Sequence, residues 1–127
     1  MGKTLTISGN CTINAKANMS SSTTNQISGW YAISANTLNM EGGTVTATTN
    51  YDNYTDKGYA LILDTISITG GSFTAKGYRA VCSRPGVAAT LGTGVTAVAS
   101  KNYDGTGETD YQKNDSLSSY KYFHAST

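Results

Sequence analysis

One block of sequence recurs along this chain, and its recurrence restricts the possible folds more than any other feature. The clearest copies read TLNMEGGTVTATT at 37–49 and TISITGGSFTAK at 65–76. Leu38 and Ile66 lie 28 residues apart, and the same separation holds for Val45 and Phe73. A block that returns at intervals of roughly 20 to 50 residues is typical of proteins built from stacked repeats.

Within the block, apolar and polar residues alternate on both sides of a Gly-Gly pair. Ile66 and Ile68 precede Gly70-Gly71, and Phe73 and Ala75 follow it. This period of two predicts two strands, each with one buried and one solvated face. The glycines suit a sharp corner, although such a pair also closes antiparallel hairpins. The exact repetition favours stacked coils over hairpins.

We therefore predict an all-β fold, a β-solenoid of three to four coils in which equivalent residues lie above one another. The expected inner ladder consists of Ile7, Met40, Ile68 and Leu91. The chain forms one domain, 1–127, with the first coil at 3–35, the second at 36–63, the third at 64–86, the fourth with a long insertion at 87–118, and a closing strand at 119–127 that covers the last open edge.

Composition agrees with a narrow solenoid core. Large aliphatic residues are scarce, but they fall on a regular period, and the formal net charge is only +1, so disorder is not indicated. The near-neutral charge gives no basic stripe for nucleic acid, so we do not expect that partner. No run is apolar enough to predict a membrane span.

The insertions predict a binding face. In coils one, two and four a polar segment leaves the solenoid after the same strand, so stacking places these segments on one side, where insertions in repeat proteins often bind ligands. The segments of coils two and four should flank the short corner of coil three. The predicted ligand-binding residues are Tyr51, Asp52, Tyr54, Lys76, Arg79, Tyr103, Asp104 and Tyr111, with Tyr78 beside them on the groove floor.

Aromatic usage suggests the class of ligand. The chain has nine tyrosines and one tryptophan but only two phenylalanines, and a ring with a polar edge suits sugar stacking and hydroxyl bonding. Trp30, Tyr59 and Tyr78 occupy equivalent repeat positions, so for them we favour an aromatic ladder within the sheet. The loop tyrosines either contact a ligand or pack their own loops.

Two further features concern the strands that follow the insertions. Either Leu61, Ala80 and Cys82 point inward, or Ile33, Ile62 and Val81 do, and an exposed second set would form an interaction patch unless something covers it. Cys11 and Cys82 are expected to be free thiols, because two coils of about 4.8 Å each hold them beyond disulfide reach.

The copies TLNMEGGTVTAT and SITGGSFTAKGYRAV resemble the repeats of right-handed β-helix surface proteins of clostridia and related gut Firmicutes, which are carbohydrate-binding and similar in fold to pectate lyases. The resemblance extends from Thr4 to about Ala99, and the ending SSYKYF resembles the closing strand of such domains. It implies a right-handed parallel β-helix, an extracellular or cell-surface location, and a polysaccharide partner.

The calcium-binding branch of that family carries acidic residues in a Gly-Asp-Gly-Ile pattern. The corresponding positions here read Gly58-Tyr59-Ala60-Leu61 and Gly77-Tyr78-Arg79-Ala80. The acidic ligands are missing, so we expect no cofactor, with calcium as the open alternative. A calcium-dependent lyase would rely on Arg79 or Arg84 as base and on Asp52, Asp56 and Asp64 as calcium ligands.

Other constellations give weaker predictions. His124 is the only histidine and lies in the closing segment, which argues against a Ser-His-Asp set. The outward Thr44, Thr46, Ser72 and Thr74 form too short an array to favour ice binding. We expect a polysaccharide-binding module of a bacterial cell-surface protein without catalytic activity. The alternative is a structural stalk or adhesin module that contacts protein, possibly a neighbouring domain of the same parent.

Overall fold

The computed structural model describes residues 3–17, 30–49, 58–77, 79–82, 87–111 and 116–127. This part of the chain consists of β-strands and one short 3-10 turn, Leu117–Ser119, so the predicted all-β class is confirmed. The strands are β1 (Thr4–Ile7), β2 (Thr12–Ala17), β3 (Trp30–Ser34), β4 (Thr37–Met40), β5 (Thr44–Thr49), β6 (Gly58–Ile62), β7 (Thr65–Ile68), β8 (Ser72–Lys76), β9 (Arg79–Cys82), β10 (Ala89–Leu91), β11 (Thr96–Ser100), β12 (Thr109–Asp110) and β13 (Tyr122–Ser126).

The first sheet stacks strands from four successive sequence copies. Its order is β1-β4-β7-β10, and all of its neighbours are parallel. Leu38 pairs with Ile66, as their 28-residue separation predicts. The ladder predicted from Ile7, Met40, Ile68 and Leu91 is confirmed by the register of these strands. Equivalent residues therefore stack here because the alternating apolar residues need a common buried face.

The second sheet begins in the same way and then changes direction. β2, β5 and β8 are parallel, and Val45 pairs with Phe73, which confirms the neighbours expected from the repeat. β13 follows β8 in antiparallel orientation, and β11 follows β13, again antiparallel. β12 forms the far edge beside β11. The sheet is therefore mixed rather than wholly parallel.

The position of β13 corrects the prediction for the closing segment. It does not cover the outer edge of the fourth copy but lies between that copy and the third. Phe123 pairs with Ala75 on one side and with Ala99 on the other. Both Phe123 and Ala125 are fully buried. An interior position buries these two side chains and satisfies backbone groups along both edges of the strand.

The third sheet, β3-β6-β9, is parallel but has a different register from the one predicted. Trp30 pairs with Gly58, whereas Tyr59 pairs with Tyr31 and Arg79. The predicted ladder of Trp30, Tyr59 and Tyr78 is therefore wrong, because Trp30 and Tyr59 are not paired. Tyr78 itself lies outside the described residues. The copies differ in the length of chain between their second and third strands, so the Gly-aromatic pairs do not stack.

The register of this sheet matches neither of the two predicted sets of inward-pointing apolar residues. Ile33, Leu61 and Val81 occupy one ladder. Ala60 and Leu61 are adjacent and both fully buried. Because successive strand residues point to opposite faces, the chain itself covers both faces of β6 at this point. Ile33 is buried as well, so it does not contribute to an exposed patch.

The glycine corners allow the copies to approach closely. The amide of Ser72 donates to the carbonyl of Gly43 at 3.0 Å, which continues the ladder through the corner. Gly71 has φ +88°, and a Cβ at that position would stand 2.5 Å from the Gly43 carbonyl oxygen. Only glycine fits both requirements. The Gly-Gly pair is thus needed by the stacking as well as by the turn.

Two smaller findings complete the fold. Cys11 is a free, exposed thiol, whereas the side chain of Cys82 lies outside the description. In the described ranges, no helix has the length and apolar character needed to cross a membrane.

Candidate functional site

The candidate site lies where three strands of the second sheet end. β5 ends at Thr49 and β11 ends at Ser100, and these are buried polar residues at 0% and 2% exposure. β8 ends at Lys76, between them in the sheet. Since a buried polar group requires a partner, the contacts made by Thr49 and Ser100 identify what folds over these strand ends.

The segment that folds over them is the β11–β12 loop, residues 101–108. Its Tyr103 hydroxyl donates a hydrogen bond to the backbone carbonyl oxygen of Thr49. The ammonium of Lys76 lies 5.0 Å from the centre of the Tyr103 ring, within cation–π range. The loop therefore reaches from β11 across β8 to β5. The predicted groove has Lys76 on its floor and this loop along one side. In the structure the loop also crosses over Lys76.

Ser100 fixes the base of this loop. Its hydroxyl donates to the Thr106 carbonyl at 2.7 Å and accepts from the Asn102 amide at 2.9 Å. The Asn102 side chain also donates to the Thr106 carbonyl, at 2.9 Å. These contacts close residues 100–106 into a compact turn. A loop that bonds to itself in this way holds its side chains in place.

Asp104 stands near the tip of the loop. Its Oδ1 accepts from the Thr106 amide at 3.0 Å and from the Thr106 hydroxyl at 2.7 Å. These two bonds, with the backbone amide first, hold the pKa of the Asp104 carboxyl below its ordinary value, and the charge of Lys76 contributes in the same direction. The carboxylate is thus ionised, oriented, and still exposed to solvent.

The ring of Tyr122, in β13, packs against the backbone of the β11–β12 loop. A Cβ placed on Gly105 would stand 3.2 Å from the Tyr122 ring, so the loop backbone lies directly against that ring. Partial burial raises the pKa of the Tyr122 phenol, and the charge of Glu108 raises it further. A neutral ring at this place gives the loop an apolar support.

The β11–β12 loop and Lys121 line a depression of about 370 Å³. Its lining combines ammonium, carboxylate, amide, hydroxyl and aromatic groups. The residues are Lys101, Asn102, Tyr103, Asp104, Thr106 and Lys121. Most of these groups are polar hydrogen-bond donors or acceptors, which is the chemistry that orients a polar ligand.

The structure brings three of the predicted ligand-binding residues together. Lys76, Tyr103 and Asp104 meet at this loop, through the ring contact and through the effect of Lys76 on the carboxylate. Arg79 lies in β9, and its side chain lies outside the description. Tyr51, Asp52 and Tyr54 also fall outside the described residues.

Tyr111 has a different position from the others. It is buried at 8% exposure and packs edge-on against Phe123, with ring centres 5.2 Å apart. Its hydroxyl accepts a hydrogen bond from the Ala89 amide at 3.0 Å. The ring and the hydroxyl are therefore engaged in the core, and we leave Tyr111 out of the candidate site.

Sequence reasoning missed several residues of the site. The sequence carries no signal for Thr49 and Ser100, because a polar residue at the end of a strand usually reaches solvent. The position of Lys121 was not predicted because the closing strand was expected at the open edge of the fourth copy, whereas β13 lies between β11 and β8. Lys101, Asn102 and Thr106 lay inside an insertion whose turn geometry is not readable from composition alone. The burial of Thr49 and Ser100 becomes evident only when the position of the loop is known.

The described residues contain no group of three His, Cys, Asp or Glu side chains close enough to hold a metal ion. His124 Nδ1 lies 2.8 Å from the Thr74 hydroxyl on the neighbouring strand. Comparison of the chain with family models, with curated proteins and with solved structures gave no match.

Proposed function

We propose that this chain is a non-catalytic polysaccharide-binding module of a bacterial cell-surface protein. The observation that supports it most directly is the convergence of Lys76, Tyr103 and Asp104 at one loop. Lys76 comes from the third sequence copy, whereas Tyr103 and Asp104 come from the fourth. A scaffold that gathers an aromatic ring, a cation and an oriented carboxylate at an exposed loop suits a ligand rich in hydroxyl groups.

We also propose that the scaffold is a right-handed parallel β-helix closed by antiparallel strands. The in-register parallel ladders of all three sheets support this, with Leu38 on Ile66 and Val45 on Phe73. The right hand follows the strong preference of parallel β-strand crossovers. In the second sheet, the antiparallel strand β13 is inserted between β8 and β11, and β12 forms the antiparallel edge.

The ligand chemistry follows from the individual groups. Asn102 and Thr106 offer amide and hydroxyl groups beside the Tyr103 ring, which suits the alternation of hydroxyls and C–H faces on a sugar. The loop is tied to Ser100 and Thr49 before any ligand arrives. Little ordering entropy then remains to oppose binding.

A binding role agrees better with Asp104 than a catalytic one. A general base needs a pKa near the working pH, whereas the two bonds from Thr106 lower the pKa of this carboxyl. A carboxylate with a lowered pKa is a weak proton acceptor, but it remains a good hydrogen-bond acceptor for hydroxyl groups.

Affinity electrophoresis tests the proposal. The wild-type chain should be retarded in gels that contain pectin or another plant or host polysaccharide, and the Tyr103→Ala variant should be retarded less. Thr90→Ala, on the exposed face of β10, provides a control for substitution of a surface residue. A glycan array extends the search over many structures. Absence of retardation by any glycan would favour the stalk or adhesin alternative.

The lyase alternative has its own readout. A lyase that acts on uronates releases unsaturated products that absorb ultraviolet light, so the chain should be incubated with polygalacturonate with and without calcium. We expect a flat absorbance trace in both cases. A calcium-dependent rise would replace the binding proposal with an enzymatic one.

A further inference from the structure

The lysines around the β11–β12 loop carry an inference about the charge of the ligand. β8 ends at Lys76, Lys121 directly precedes β13, and Lys101 directly follows β11. These three strands are neighbours in the order β8-β13-β11. Neighbouring strands lie about 4.8 Å apart, so the three lysines form a short row across the strand ends, here named the lysine row.

Backbone hydrogen bonds and strand pairing fix the relative positions of the backbone at these three lysines. The Lys121 amide donates to the Ser100 carbonyl at 3.0 Å, and the Lys121 carbonyl accepts from the Gly77 amide at 3.0 Å. Tyr122 pairs with Lys76 on one side and with Ser100 on the other. The register thus places Lys121 between the strand ends that carry the other two lysines, independently of any side-chain rotamer.

The charge of the depression is unbalanced. Lys101 and Lys121 both line it, and Asp104 is the one carboxylate among its lining residues. That carboxylate already accepts two hydrogen bonds from Thr106. Lys76 adds a third ammonium at the Tyr103 ring. Three ammonium groups therefore stand near the loop against the carboxylates of Asp104 and Glu108, in a chain whose formal net charge is only +1.

Ammonium groups donate charge-assisted hydrogen bonds to carboxylate and sulfate oxygens, so an anionic ligand would complement this region. We propose that the lysine row and the depression bind an anionic polysaccharide, with uronate carboxylates or sulfate esters meeting the ammonium groups. This inference rests on the proposed polysaccharide-binding function and adds the charge of the ligand to it. A polymer suits the row better than a small ion, since repeated charges contact several lysines at once.

The test compares polymers that differ only in charge. Binding is measured by isothermal titration calorimetry or affinity electrophoresis with polygalacturonate against its methyl ester, and with dextran sulfate against dextran. The charged member of at least one pair should bind more tightly, and its binding should weaken as salt rises from about 50 to about 500 mM, because salt screens exposed charges. The two pairs distinguish carboxylate from sulfate as the source of charge.

Substitutions of individual lysines test which positions contact the charged polymer. Lys101→Gln with Lys121→Gln should weaken binding of the charged polymer on the order of tenfold, since two solvent-screened ion pairs are lost. Lys3→Gln is the matched control, because it removes the same charge from an exposed residue before β1. It should leave the affinity unchanged. Lys101→Gln alone, at an exposed position, keeps the test usable if the double variant does not fold.

The results distinguish failure of the anionic-ligand proposal from failure of the polysaccharide-binding proposal. Equal binding of charged and neutral polymers would overturn the anionic assignment and leave the polysaccharide-binding proposal standing. An equal loss in Lys3→Gln and in the double variant would also overturn it, because the attraction would then be general rather than local. Failure of every polymer to bind would remove both proposals together.

Discussion

The ammonium of Lys76 lies 5.0 Å from the centre of the Tyr103 ring, although the two residues come from different sequence copies. Lys76 ends β8, whereas Tyr103 belongs to the loop after β11, and β13 separates these two strands in the sheet. Tyr103 also donates a hydrogen bond to Thr49 at the end of β5. One side chain therefore connects three strand ends, and its two contacts can be tested separately.

A double-mutant cycle measures the contact with Lys76. Lys76→Met keeps most of the aliphatic stem, and Tyr103→Leu removes the ring. The two substitutions should show a coupling of about 0.5 to 1 kcal/mol in the free energy of unfolding, the lower part of the cation–π range, because both side chains are only half-buried. Urea denaturation gives the four values. The cycle with Tyr103→Phe should give no coupling, because phenylalanine retains the ring.

Tyr103→Phe isolates the other contact, the hydrogen bond to Thr49. Loss of one hydroxyl donor should lower the free energy of unfolding by about 1 kcal/mol. Amide hydrogen exchange should become faster within the β11–β12 loop, for example at Gly105, whose amide donates to the Asn102 carbonyl. Unchanged exchange in the loop would mean that this hydrogen bond does not restrain it.

The stacked glycine corners predict unequal costs for two similar substitutions. Gly71→Ala and Gly94→Ala both place a side chain at positive φ, +88° and +84°, but only at Gly71 does the new Cβ meet backbone, at 2.5 Å from the Gly43 oxygen. Gly94 has nothing within 4 Å.

Gly94→Ala should therefore cost about 1 to 2 kcal/mol for the backbone conformation alone. Gly71→Ala should cost a further 1 to 3 kcal/mol or so for the overlap. Denaturation midpoints of the two variants give this difference. Equal midpoints would contradict the direct stacking of the corners.

The sequence predicted those parts of the fold in which alternating apolar residues beside the glycine corner mark equivalent positions in successive copies. Leu38 and Ile66, like Val45 and Phe73, are 28 residues apart and occupy paired positions. A constant spacing, together with alternation of apolar residues, leaves one register that keeps every apolar side chain inside.

The sequence did not predict the register of the third sheet or the place of β13 in the second. The register of Tyr59 with Tyr31 and Arg79 depends on how the intervening segments turn, which repeat spacing does not specify. The alternation in β13 is compatible with either an edge or an interior strand. Its place between β8 and β11 depends on the total burial of Phe123 and Ala125, which is a property of the whole sheet.

The buried position of Tyr111 predicts a structural role. Tyr111→Phe keeps the ring against Phe123 but removes the acceptor for the Ala89 amide. An unsatisfied buried donor costs about 1 to 3 kcal/mol, and the free energy of unfolding should fall by that amount. Tyr122→Phe, at a half-buried ring, is the control and should change stability by about 0.5 kcal/mol or less.

The binding behaviour of the same variant provides a second readout. Polysaccharide retardation of folded Tyr111→Phe should equal that of the wild-type chain, because this ring belongs to the core. A loss of retardation without a loss of stability would return Tyr111 to the binding site.

The carboxyl group of Asp104 should titrate below the ordinary aspartate value of about 3.9, because the Thr106 amide and hydroxyl both donate to its ionised form. A folded-state pKa below the unfolded one contributes stability that is present above the unfolded pKa and is lost as the pH falls through the folded pKa. The loop should therefore loosen only below about pH 4. Carboxyl carbon chemical shifts followed by NMR give the midpoint directly.

Thr106→Ala tests the cause of this shift. It removes the hydroxyl donor but keeps the amide, which is the larger of the two influences, so the Asp104 midpoint should rise part of the way toward the ordinary value. Thr90→Ala, at an exposed threonine on another sheet, should leave the midpoint in place. If Thr106→Ala left the midpoint unchanged, or if Thr90→Ala moved it equally, the Thr106 hydroxyl would not be what holds the Asp104 carboxylate ionised and oriented.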